Sequence, residues 1–109
     1  MQAIDIVKEF WNAVEARNWT KAWSFLHEEF EADWPVTKEH WDRSSFIRLN
    51  QEYPGDWHIR LDRIELIENG VLSVVCVTMD EQYFYAVSFF ELRDSKFYRA
   101  TEYWADGAE

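Results

Sequence analysis

Two hydrophobic periods divide the chain. Ile4, Val7, Phe10, Trp11 and Val14 recur at spacings of three and four, which draws one apolar stripe along a first helix. "EARNWT" breaks that pattern, and Thr20 is placed to cap a second, short helix running through Leu26, with Ala22, Trp23, Phe25 and Leu26 as its apolar positions. In "EEFEADWPV", Phe30, Ala32 and Trp34 alternate with Glu31 and Asp33. This is a short strand, ended at Pro35 because proline has no N–H to give a ladder. A third helix is expected over roughly residues 41–52, with Phe46, Leu49 and Asn50 on neighbouring faces and "EYPGDW" closing it.

From Trp57 onward the period is two. "WHIRLDRIELI" alternates, with a slip near Asp62 and Arg63 that suits a bulge. "ENG" turns into "VLSVVCVTM", "DE" turns back into "QYFYAVSFFEL", and "RDSK" leads to a last strand, "FYRATEYWA". Three helices followed by an antiparallel meander predict an α+β fold, with the helices on one face of a curved, mostly antiparallel sheet. Residues 1–109 make one domain, with no repeat or linker.

Alternation also sorts side chains into faces. In the last strand Ala100, Glu102 and Trp104 point the same way, which sets a carboxylate among apolar groups. In "YFYAVSFFEL", Phe84, Ala86, Ser88, Phe90 and Leu92 face one side while Tyr83, Tyr85, Val87 and Phe89 face the other. Helices can cover only the first set. The second is an apolar outer surface that predicts a twofold homodimer, sheet against sheet.

Composition narrows the chemistry. A net charge of −10 disfavours nucleic acid and anionic membrane surfaces as partners. No apolar run approaches a membrane span, and "MQAIDIVKEFW" carries acids where a signal peptide needs bases, so a soluble, cytoplasmic protein is expected. The single cysteine, Cys76, lies in an apolar strand and reads as a buried core thiol. His27 is placed to cap the second helix, His40 precedes the third helix in solvent, and His58 shares a polar strand face with Arg60 and Asp62. No HxH, HxxxH or CxxC spacing points to a metal, and no glycine-rich phosphate loop is present, so neither a metal nor a cofactor is expected.

The order of elements, with "FWNAVEARNWTKAWSFLHEEFEADWP" and "AVSFFELRDSKFYRATEYWAD", resembles the nuclear transport factor 2-like superfamily, most of all its small bacterial SnoaL-like members. The resemblance covers nearly the whole chain. It implies a cone-shaped α+β barrel with an apolar pocket at its open end, often in dimers. The superfamily spans steroid isomerases, cyclases, dehydratases, epoxide hydrolases and non-enzymes, so the fold leaves catalysis undecided. A ketosteroid isomerase needs a carboxylate base and an oxyanion hole built from Tyr and a protonated Asp. By the resemblance the base falls at Trp34, the tyrosine at Phe10 and the acid at Ser88, so all three roles lack their residue. The Asp–Arg–Asp cluster of an epoxide hydrolase of this fold does not assemble either.

The resemblance also implies which positions line the pocket: Phe10, Val14, Trp34, Asn50, Ser88, Phe90, Ala100 and Trp104, around Glu102 as the main charged group. Two roles follow. In the first, the domain binds a small apolar or ring-bearing molecule between tryptophan walls. In the second, Glu102 serves as general acid or base in a cofactor-independent isomerase, cyclase or dehydratase, with Asn50 or Ser88 polarising a carbonyl. Against both stands a purely structural Glu102, paired with an arginine or accepting indole N–H bonds. A further alternative is a protein-interaction module acting through the outer sheet face.

Overall fold

The structure is a computed structural model in which residues 1–108 are described. Helix α1 spans Ala3–Glu15 and buries Val7, Phe10, Trp11 and Val14 of the predicted stripe, with Ile4 half-buried. Arg17 follows in the left-handed region (φ 61°) and donates to the carbonyls of Val14 and Glu15, which satisfies the helix end. Helix α2 is shorter than expected, Trp19–Ser24. Its cap is Asn18, whose side chain accepts from the Lys21 N–H at 3.2 Å; Thr20 lies inside the helix instead. Leu26 belongs to strand β1, Leu26–Trp34, so the first strand starts four residues before Phe30.

Sequence reading missed β2, Glu39–Asp42, four residues that pair antiparallel with β1. Asp42 then caps α3, Arg43–Gln51, in a reciprocal box: its carboxylate accepts from the Ser45 N–H at 2.8 Å while Ser45 Oγ accepts from the Asp42 N–H at 2.9 Å. Strands β3 (His58–Ile67), β4 (Gly70–Met79), β5 (Gln82–Arg93) and β6 (Lys96–Asp106) form the predicted meander. The slip in the alternation is a real bulge, a register shift between Leu61 and Arg63.

The six strands run β2-β1-β6-β5-β4-β3. All neighbours are antiparallel except β1 and β6, which pair in parallel. The sheet curves round the helices but is not closed: β2 and β3 remain its edges, where the resemblance implied a barrel.

Inside the curve the core is aromatic. Phe90 and Phe97 stack at 4.4 Å, and Phe10 meets Phe97 edge-on at 5.1 Å. Each such ring contributes about 1.5–3 kcal/mol by burial, with aromatic geometry adding roughly 0.5–1.5 kcal/mol per pair. On the outer face Tyr85 sits opposite Cys76, Val87 opposite both Val74 and Tyr103, and Phe89 opposite Leu72. Tyr83, Phe89 and Tyr103 are exposed there, while Cys76 is buried. No helix among the described residues is long and apolar enough to cross a membrane.

Candidate functional site

The pairing register sets three polar side chains in one row across the inner face. Ser73 on β4 lies opposite Ser88 on β5, which lies opposite Glu102 on β6. All three are buried. Strand β1 brings Trp34 to one end of the row and α1 brings Trp11 to the other. Trp34 Nε1 donates to Glu102 Oε1 at 3.0 Å, Ser88 Oγ donates to Glu102 Oε2 at 2.6 Å, and Trp11 Nε1 donates to Ser73 Oγ at 3.0 Å.

No ion pair among the described residues involves Glu102. The arginine partner that a structural role invited is not there, whereas the indole N–H bond it also invited is. Burial pushes the carboxyl up from the ordinary glutamate range; the bonds from Ser88 and Trp34 oppose that shift without cancelling it. The site therefore offers a protonatable group held by two neutral donors, suited chemically to proton transfer or to gripping a polar atom.

Around the carboxyl the rings form a continuous wall. Trp34 meets Trp41 at 5.3 Å and Trp104 at 5.6 Å, both edge-to-face, and Trp104 meets Phe84 at 5.4 Å. The indole N–H groups of Trp41 and Trp104 are buried without an acceptor among the described residues. Beside Trp104 lies a small cleft, open to solvent on one side, with room of about 20 Å³ and bordered by Asn50, Tyr53, Trp57, Val77 and Phe84. That is room for about one water.

The residues expected to line a pocket thus separate into three groups. Trp34, Ser88 and Trp104 gather round Glu102. Phe10, Val14, Phe90 and Ala100 lie in the packed core, each no more than 2% exposed. Asn50 borders the cavity and donates to the Phe46 carbonyl at 2.8 Å, one helical turn back. Sequence reasoning overlooked Ser73, Trp41, Tyr53, Trp57 and Phe84. Their signal was present in part: "EYPGDW" carries two aromatics at a helix end, and Ser73 interrupts an otherwise apolar strand.

The histidines sit elsewhere, and of the three only His27 departs from its expected place. His27 is in β1, where its Nδ1 accepts from the Glu29 N–H, and is no helix cap. His40, exposed as expected ahead of α3, lies in β2 with Nδ1 2.6 Å from Asp33 and Nε2 2.7 Å from Glu31. Those two hydrogen bonds, Asp33 first, raise its pKa above the usual histidine value. His58 pairs with Glu15 at 2.9 Å. No group of three His, Cys, Asp or Glu side chains among the described residues is disposed to hold a metal ion.

No family model matches the sequence, and no curated protein matches it significantly. Solved structures do. A Kribbella flavida protein whose name proposes ketosteroid isomerase activity superposes with a TM-score of 0.90 at 26% identity, over 98% of this chain and 80% of its own. A nuclear transport factor 2-like protein of unknown function from Burkholderia xenovorans gives 0.86 at 21% identity, over 96% and 84%. An epoxide hydrolase-like protein from Mycobacterium tuberculosis gives 0.75 at 16% identity, over 94% and 81%. The fold of this chain is that of nuclear transport factor 2-like proteins.

Proposed function

We propose that this domain binds a small, apolar, ring-bearing molecule beside Glu102. The observation that carries the proposal is a buried carboxyl with no cationic partner, held by Ser88 and Trp34 and walled by tryptophans. A carboxyl kept only to fix a sheet gains most from a cation, and an apolar pair of similar volume would fill the place at less cost. The similar folds of proteins named for isomerase and epoxide hydrolase activity support a small-molecule role. A thermal-shift panel of neutral bicyclic ketones, alcohols and lactones tests it: a binder raises Tm with the logarithm of ligand excess over Kd. No shift with any member would overturn the proposal.

The second role, proton transfer by Glu102 in a cofactor-independent isomerase, cyclase or dehydratase, is favoured by the upward displacement of its pKa. Glu102→Gln separates the two. An enzyme loses turnover while keeping its ligand; a binder changes only in affinity. Ketosteroid isomerase chemistry by the familiar mechanism finds no support, with Phe10, Trp34 and Ser88 at the three positions it needs.

The proposal extends to a homodimer in the cytoplasm. Tyr83, Tyr85, Val87 and Phe89, with Leu72, Val74 and Tyr103 beside them, give an apolar sheet face edged on β3 by the Arg60–Asp62 and Arg63–Glu65 pairs. A second copy, lying sheet to sheet, is the proposed occupant. The sole cysteine, buried and unpaired, fits a reducing compartment. An interaction module working through this face alone is the remaining alternative, and Tyr85→Arg would abolish its function while sparing the Glu102 site.

A further inference from the structure

We infer that the free edge of β3 pairs antiparallel with the same strand of a second copy, about a twofold axis between Asp62 and Arg63. The contact is separate from the outer face proposed above and stands or falls without it.

Strand β3 ends the sheet. β4 flanks one side of it and α1 packs against it, while no described strand lies on its other side. An open edge ten residues long offers N–H and C=O groups to any extended chain, and proteins guard such edges with charges and bulges. β3 has both. Its charges form two pairs within the strand, Arg60 with Asp62 and Arg63 with Glu65. The bulge lies between Leu61 and Arg63.

The order of these residues is self-complementary. In "RLDRIE" (residues 60–65), an antiparallel copy centred between Asp62 and Arg63 sets Arg60 opposite the partner's Glu65. Leu61 then falls opposite the partner's Ile64, and Asp62 opposite the partner's Arg63. The twofold axis repeats each contact. Every charge gains an opposite charge and every apolar side chain an apolar neighbour, the pairs that stabilise a sheet.

The bulge makes this register possible. Side chains directly opposite each other must share a face, yet in a regular strand residues 61 and 64 point to opposite faces. The extra residue at Asp62 resets the alternation. Ile59, Leu61 and Ile64 therefore all pack on the core, while Arg60 and Glu65 are exposed. A strand of different shape meets a kink here. A second copy carries the same kink on the twofold axis. Slipping the register by two residues moves the bulges apart and brings Arg60 against the partner's Arg63, or Asp62 against the partner's Glu65. Charge order thus rejects the wrong register and most foreign strands.

The contact also covers what the edge leaves bare. Leu66 is 67% exposed, and this register lays the partner's Ile59 against it. The ladder has a limit, because the Ile59 N–H already donates to Glu15 Oε1 at 2.6 Å. Backbone pairing from Arg60 to Glu65 spans about 20 Å. So short a contact buries less than the roughly 1,200 Å² of a standard interface, and it forms near millimolar protein. At micromolar protein the edge is unpaired.

The test is sedimentation equilibrium from about 10 µM to 1 mM in a Tyr85→Arg background, which keeps the outer face out of the reading. A dimer should form with Kd on the order of 0.1–1 mM. Two half-reversed proteins then probe the register. One carries Arg60→Glu with Asp62→Arg, the other Arg63→Glu with Glu65→Arg. Each keeps its net charge and both pairs within the strand, but sets like charges across the axis. Alone, each should associate at least tenfold more weakly; mixed in equal amounts, they should pair as the parent does. No association of the Tyr85→Arg protein at 1 mM would overturn the edge contact. Half-reversed proteins that associate as well alone as together would overturn it too. The outer-face dimer is read separately, from wild type against Tyr85→Arg at about 10 µM.

Discussion

Trp34 and Glu102, 68 residues apart in sequence, are joined by an indole N–H to carboxylate bond of 3.0 Å between parallel neighbours β1 and β6. This bond ties the N-terminal hairpin to the C-terminal strand at the one buried acid among the described residues. Its strength depends on the charge of Glu102, and that dependence yields the first prediction.

The Glu102 carboxyl titrates above its unfolded value because burial disfavours its charge. The folded state therefore holds the proton more tightly than the unfolded chain does. Stability falls as pH rises from about 4.5 through the raised folded pKa and is flat beyond it. In Glu102→Gln the amide oxygen accepts from Trp34 and the amide N–H2 donates to Ser88, so both neighbours stay satisfied. The variant should match wild type near pH 4 and melt higher at pH 8. Melting curves across that range check it; a variant less stable at pH 8 would mean the ionised form is favoured by the fold.

Ser88→Ala removes the shorter of the two bonds and leaves the carboxyl with one donor. A loss of about 1.5–3 kcal/mol is expected, since a buried bond to an ionisable acid is involved. Trp34→Phe should cost more, because it also opens the ring contacts with Trp41 and Trp104. Urea unfolding of both variants gives the comparison, and a neutral Ser88→Ala would show that Glu102 finds another donor.

His40 sits between two carboxylates with both ring nitrogens engaged, the geometry of an imidazolium donating twice. Its folded pKa is raised, so the contribution of this bridge is complete below about pH 6.5 and fades as pH climbs through the folded value. NMR titration of the His40 ring should give a midpoint above 6.5 in wild type and a return towards 6.5 in an Asp33→Asn, Glu31→Gln background. An unchanged midpoint would show the bridge to be without effect.

The outer face makes a separate prediction. Tyr85→Arg sets a charge in the middle of the β4–β5–β6 surface, opposite Cys76 and next to Val87. Sedimentation should show a dimer for wild type and a monomer for the variant, with Tm falling in wild type on dilution and constant in the variant. A monomeric wild type would remove the homodimer from the account.

Most of the fold was legible because its signals are local. The bulge near Asp62 appeared as a break in alternation, and the faces of β5 and β6 followed from period two alone. Boundaries set by competing caps were harder: Asn18 and Thr20 both qualify by type, and only the helix start decides between them. Strand β2 was invisible because four residues with two charged ends carry no period; what holds it is pairing with β1.

The site was half legible. Glu102 and Trp104 stood out by alternation, but Ser73 joins the row only through the register of β4 on β5, which no short window of sequence contains. Nor did a pattern announce Tyr53. Its ring meets Phe84, 31 positions later, beside the small cleft.

The measurement that bears most directly on the central claim is a crystal structure of the protein soaked with a neutral naphthyl ketone. The account predicts ordered density for the bicyclic ring beside Trp34 and Trp104, with its oxygen within hydrogen-bond reach of Glu102. Rings still packed round Glu102 at saturating ketone, with no ligand density there, would contradict it.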